Sequence, residues 1–85
     1  MIEKKPFKDI MGKLIVTKEG KRLGVVKDIT FETRVGELIQ LILKEPTPYS
    51  KNFNLETINK NEILIPFNTV VAIGDFVVVS EEDLM

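Results

Sequence analysis

Residues 17–32 read TKEGKRLGVVKDITFE, a polar turn with one glycine running into a long β-prone stretch that carries a second glycine near its start. Two readings of the glycines compete: a loop that cradles phosphate, or the corners of a β-hairpin. Spacing decides between them. A phosphate-binding P-loop needs GxxxxGK followed by Ser or Thr, whereas Gly20 and Gly24 are only four apart and Gly24 is followed by Val25. A dinucleotide fingerprint needs a helix after its glycines, but LGVVKDITFE continues as a strand. Gly20 is therefore expected in a turn with positive φ, and Gly24 at a bend or a close backbone approach. In a regular strand Val25, Ile29 and Phe31 share one face, and Val26 lies opposite, between Gly24 and Asp28. The pattern leaves open which face is the interior. Asp28 is expected to be a structural carboxylate accepting backbone N–H bonds near a bulge or barrel rim.

Outward from this stretch the chain alternates short strands and turns. PFKDIMG (6–12) reads as one helical turn, with Pro6 at a first position and Gly12 as the cap, and with Phe7, Ile10 and Met11 on one side. KLIVT (13–17) and ELIQLILK (37–44) flank the opening strand, the latter after a turn around Gly36, and the three make a meander. EPTPYSKNFNLETINKN (45–61) has two prolines and four of the five asparagines, which marks a long connection, with NLETINK a candidate helical turn capped by Asn54. EILIPF (62–67), TVVAI (69–73) and FVVV (76–79) follow, with Gly74 and Asp75 at a tight hairpin turn, and the acidic tail SEEDLM (80–85) has room for one helical turn. Six short strands in one domain of 85 residues predict an all-β fold, a small six-stranded barrel with short helical turns and one long loop.

Composition supports that class and removes several chemistries. Ile, Val and Thr supply 25 residues and alanine one. Without cysteine or histidine the chain has no disulfide, no thiolate and none of the usual ligands for zinc, iron or copper, and it lacks the commonest general base. A small filled barrel has no shielded cleft for a carboxylate pair of separated pKa, so no catalytic residue, cofactor or small-molecule substrate is expected. The opening MIEKKPFKDI has no signal-like apolar run, and no segment approaches the roughly 20 apolar residues of a membrane span. A cytoplasmic location is expected.

Two features point to binding. In LIQLIL, Ile39, Leu41 and Leu43 fill one face while Leu38 and Ile42 lie on the other, and EILI and FVVV are two-sided as well. A barrel has one interior, so a second apolar face calls for a cover, and the expected cover is another copy of the chain or a paralogue. Leu38, Ile42, Tyr49, Phe53, Phe67 and Phe76 are the candidate contacts. For Tyr49 and Phe53 two roles are open: exposed anchors for a protein partner, or pins that fold the long loop back onto the barrel. Charge is uneven, +4 over residues 1–35 and −5 over 36–85, and Lys18, Lys21, Arg22, Lys27 and Arg34 are candidates for a basic edge. With a pI of 5.4 and no aromatic interleaved but Phe31, which in phase with Ile29 and Val25 is expected in the core, nucleic acid is not the expected partner.

The ordered set Gly12, Lys13, Gly20, Gly24, Val26 and Asp28, followed by Ile65-Pro66-Phe67, Val70 to Ile73 and Gly74-Asp75, resembles the PRC-barrel family over about residues 7–79. The resemblance implies a non-enzymatic β-barrel that binds proteins, nearest to the free-standing archaeal members. Some of these are dimeric adaptors in cell division that work with the FtsZ/SepF machinery. The family's ribosome-maturation branch, RimM, implies the alternative of an RNA- or ribosome-associated module.

Overall fold

The computed structural model describes residues 9–32 and 38–84, without the side chains of residues 31, 32 and 38. Phe7, Arg34 and the turn around Gly36 lie outside the described residues, as do the side chains of Phe31 and Leu38. Seven strands form one sheet: β1 (Leu14–Thr17), β2 (Arg22–Glu32), β3 (Leu38–Lys44), β4 (Thr57–Asn59), β5 (Glu62–Pro66), β6 (Val70–Ile73) and β7 (Phe76–Val79). Helical residues Asp9 and Ile10, in the turn expected over 6–12, two 3-10 turns, Pro48–Asn52 and Phe67–Thr69, and a closing helix α1 (Glu81–Leu84) complete the described chain. The strand order is β4-β5-β3-β2-β1-β7-β6. The meander β1–β2–β3 lies at its centre, and β1 pairs in parallel with β7, which ties the two ends of the domain together.

This corrects the expected six-stranded barrel in two ways. The ladder runs from β4 to β6 without closing on itself among the described residues, and it has a seventh strand. The added strand is β4, where a helical turn over NLETINK was expected. Its β-branched Thr57 and Ile58 suit an extended backbone, and Asn59 Oδ1 accepts the Asn61 N–H at 2.8 Å, closing a tight turn back into β5. Leu64 N–H also donates to the Glu56 carbonyl at 2.8 Å, so the segment supplies β5 with the backbone partner it otherwise lacks. The Pro48–Asn52 turn, not Asn54, holds the helical part of the connection.

β2 explains why its faces could not be read from alternation. Ile15 pairs with Gly24 but Val16 with Arg22, which skips Leu23; Val26 pairs with Leu43 but Asp28 with Ile42, which skips Lys27. Each skip is a bulge, adding one residue and shifting the side-chain phase. The first lets the consecutive Leu23 and Gly24 both be buried, and the second lets the consecutive Lys27 and Asp28 both face water. Val26 and Ile29, on opposite faces of a regular strand, therefore both pack into the core. Bulges also bend a strand and increase its twist, and two of them curl the long β2 around the interior.

That interior holds Ile10, Ile15, Leu23, Val26, Leu41, Leu43, Ile63, Ile65, Val77, Val79 and Leu84. Strands β1, β5 and β7 contribute alternate residues, as period-2 patterning requires. Buried Thr17 organises the KEGK turn: its Oγ1 accepts the N–H groups of Glu19 and Lys21 at 3.2 and 3.1 Å, and Gly20 turns the corner at φ 87°. The long connection is anchored by Thr47. Its N–H donates to the carbonyl of bulged Leu23 at 2.9 Å, and its hydroxyl donates to the Arg22 carbonyl at 2.6 Å. The first β2 bulge thus frees the backbone group that seats the loop.

Candidate interaction surfaces

The first surface follows from β1, β7 and β6 having few side chains over their outer faces. Leu14 pairs with Val25 on one side and with Phe76 on the other, so the three share a row across β2, β1 and β7. The next row runs Val16, Val78, Ala72 across β1, β7 and β6. Over β1, β7 and β6 both rows are uncharged; on β2 the second row ends at exposed Arg22, the partner of Val16. Phe76, in the first row, is 49% exposed; on β6 Val71 (51%) lies at the bulge and Ile73 (44%) is paired with buried Val77, on the other face from Ala72, while Met11 (38%) precedes the Gly12–Lys13 corner. Among the described residues these four make up all but one of the exposed large hydrophobics, the other being Ile58 in β4. Lys13 donates through Nζ to the Gly74 carbonyl and holds the Gly12–Lys13 corner against the β6–β7 turn, where Gly74 and Asp75 are both exposed.

A second surface lies on the far side, against the long connection. An open groove of about 490 Å³ runs between the Pro48–Asn52 turn and the β4–β5 hairpin, floored by Phe53, Leu55 and Ile63 and flanked by Lys51 and Lys60.

The family model of the PRC-barrel domain matches residues 3–84. The chain belongs to the PRC-barrel family. It is 40% identical over 83 residues to an uncharacterized protein of Methanocaldococcus jannaschii, an alignment covering 98% of this chain and 89% of that one. The PRC-barrel is a protein-interaction fold, and its domains are generally non-catalytic binding modules.

Within this PRC-barrel domain the residues singled out from sequence separate into groups. Phe76 sits on the outer apolar face. Ile42 is half-buried beside Leu64, its partner on β5. Phe67 packs against the core from the second 3-10 turn. Tyr49 and Phe53 also pack against the core, their rings 5.7 Å apart and at 73° to each other, so both pin the loop. Asp28 is exposed, and its Oδ1 accepts one backbone N–H, that of Ile29, at 2.8 Å. The basic edge is partly engaged: Lys27 pairs with Glu62, and Lys21 Nζ lies 5.7 Å from the centroid of the Tyr49 ring. No group of three or more metal-binding side chains gathers among the described residues, and none of their helices is long and apolar enough to cross a membrane.

Sequence reasoning missed the exposed Val71, Ile73 and Met11, because strand phase alone does not reveal which apolar residues lack a cover. It also missed the partner of Tyr49. The phenol donates to Glu81 Oε2 at 2.8 Å, latching the long connection onto α1. That hydrogen bond to a carboxylate raises the Tyr49 pKa above its ordinary value, helped by desolvation and by the charges of Glu81 and Glu19. A folded-state pKa above the unfolded one means the latch contributes fully below about pH 10 and is lost as pH rises through the folded value. Tyr49 is the chain's one tyrosine and there is no tryptophan, so phenolate absorbance reads it directly. The midpoint is expected to lie higher in the native protein than in urea, and Glu81→Gln should bring it back. Equal native and unfolded midpoints would remove the latch.

Proposed function

We propose that this PRC-barrel domain is a non-enzymatic scaffold that pairs with a second copy, or with a paralogue, through the outer face of β1, β7 and β6, and that presents other proteins to one another. The observation that carries the reading is exposed Phe76 in the row Val25, Leu14, Phe76, next to the aliphatic row Val16, Val78, Ala72 on the same sheet face, with Val71 and Ile73 exposed on the edge strand β6. A contiguous apolar area of this kind is unusual on a chain that stays alone. A sheet face is also self-complementary under a two-fold axis, the commonest symmetry of homo-oligomers. The relative supports an archaeal setting, and the resemblance to free-standing archaeal adaptors suggests a role in cell division, alongside FtsZ and SepF in the cytoplasm.

The pairing is tested by light scattering coupled to size exclusion. The native chain is expected to run at twice its 9.7 kDa mass, and Ile73→Ser with Phe76→Ser at the single mass with an unchanged circular dichroism spectrum. A native chain that remains monomeric at high concentration would overturn the pairing. Affinity capture from the source cells then tests the setting: recovery of FtsZ or SepF by the native chain is expected, and tight RNA capture that weakens steeply with salt would replace the adaptor reading by a ribosome-associated one.

A further inference from the structure

The groove beneath the long connection sits in the acidic half of the chain, yet it is lined by two lysines and by no carboxylate. Both lysines are exposed, and neither forms an ion pair among the described residues. The floor between them is apolar, from Phe53, Leu55 and Ile63. Of the uncharged polar side chains that line it, Ser50 and Asn59 are already engaged within the fold, which leaves the Thr57 hydroxyl. The Ser50 hydroxyl donates to the Thr47 carbonyl at 2.6 Å, and Asn59 serves Asn61 through Oδ1 and Glu62 through Nδ2. A small polar ligand would find no convergent set of donors and acceptors to fix its orientation, which ligand pockets of this size normally supply. The groove offers an open apolar trough with an ammonium near each side.

We infer that the groove is a docking site for an extended acidic segment of a partner protein, one that places apolar side chains on Phe53, Leu55 and Ile63 and carboxylates opposite Lys51 and Lys60. Charge complementarity selects this occupant. Carboxylates beside an apolar anchor satisfy the two unpaired ammoniums, whereas a basic or neutral segment leaves them facing like charge or nothing. Single-stranded nucleic acid fits less well, because such grooves stack bases on exposed aromatic faces. Here Phe53 is half-buried, packed on the core and in T-shaped contact with Tyr49. The inference rests on the chain being a protein-interaction module and adds the chemistry of a partner other than the second copy, at a surface separate from the outer face of β1, β7 and β6.

The probe is a fluorescein-labelled decapeptide of alternating Glu and Leu, followed by anisotropy against the intact chain. Saturable binding is expected, weakened at least about tenfold by Lys51→Glu with Lys60→Glu and by replacing every leucine of the peptide with glutamate. Both lysines are exposed, so the double variant should keep the native melting curve. Absence of binding at millimolar chain, equal binding of a Lys-Leu decapeptide, tighter binding of decauridylate, or indifference to the double charge reversal would each overturn the inference. Light scattering on the same samples separates the two readings: a failed titration with the Phe76-dependent dimer intact removes the groove alone.

Discussion

Val26→Asp is expected to remove about half of the chain's stability, while Val25→Asp, one residue earlier, costs little. Val26 is 1% exposed and lies opposite Leu43 in the core, whereas Val25 is half-buried on the outer face opposite Leu14. A carboxylate at position 26 would have no partner among Ile15, Leu23, Leu41 and Leu43, and an unpaired buried charge costs about 3–5 kcal/mol. A domain of this size has a total stability of order 5–10 kcal/mol, so about half of the margin disappears. At position 25 the carboxylate reaches water, and the expected cost is about 1 kcal/mol. Urea denaturation followed by circular dichroism measures both. Acidification should partly rescue Val26→Asp, since a neutral carboxyl is cheaper to bury. Equal costs at the two positions would mean that the assigned phase of β2 is wrong.

Gly24→Ala is the second large effect expected. The glycine is buried, and a Cβ there would lie 2.5 and 2.7 Å from Leu43 Cδ2 and Cγ and 2.7 Å from the Lys44 carbonyl oxygen. The Leu43 side chain can move; the carbonyl belongs to the β3 backbone, whose neighbour Val25↔Lys44 is part of the ladder. Relief therefore requires β2 and β3 to separate, and overpacking of this kind costs about 1–3 kcal/mol or somewhat more. With about 4–8 °C of melting temperature per kcal/mol for so short a domain, a fall of roughly 10–20 °C is expected. Leu43→Ala, made alone and together with Gly24→Ala, tests the cause. It removes the side-chain clash but leaves the carbonyl in place, so Gly24→Ala should cost nearly as much in the Leu43→Ala background as in the native one. Loss of the Gly24→Ala effect in that background would mean that the side chain alone made the site tight.

The sequence made some of this legible and hid the rest for identifiable reasons. β-Branched density and the Gly20 and Gly74 turns mark the strands within a residue or two, because turn chemistry and strand propensity are local properties. Gly24 is legible as a close approach, since a glycine inside a strand has little other use. The phase of β2 is hidden: two bulges move it twice within one strand, and a bulge is set by the partner strand. β4 is hidden because TIN is too short to carry a period, and its pairing with β5 depends on the Asn59 turn. The candidate surfaces are the least legible part. Phe76 could be named, but its row with Leu14 and Val25 forms only once β1 and β7 pair in parallel across the length of the chain. Lys51, Lys60 and the groove between them require the long connection to be folded back, which Thr47 and Tyr49 accomplish through contacts far away in sequence.

The two strands that end the sheet each break register. β4 skips Ile58 against β5, and β6 skips Val71 against β7. An unpaired strand edge rich in β-branched residues is otherwise a template on which further chains add, and a local kink removes the straight row of donors and acceptors that such growth needs. Such kinks disfavour the addition of further chains through backbone hydrogen bonds and leave association to side chains. Recognition of that kind depends on residue identity, so a substitution on the partner can tune or abolish it, as hydrogen bonding along a sheet edge would not allow.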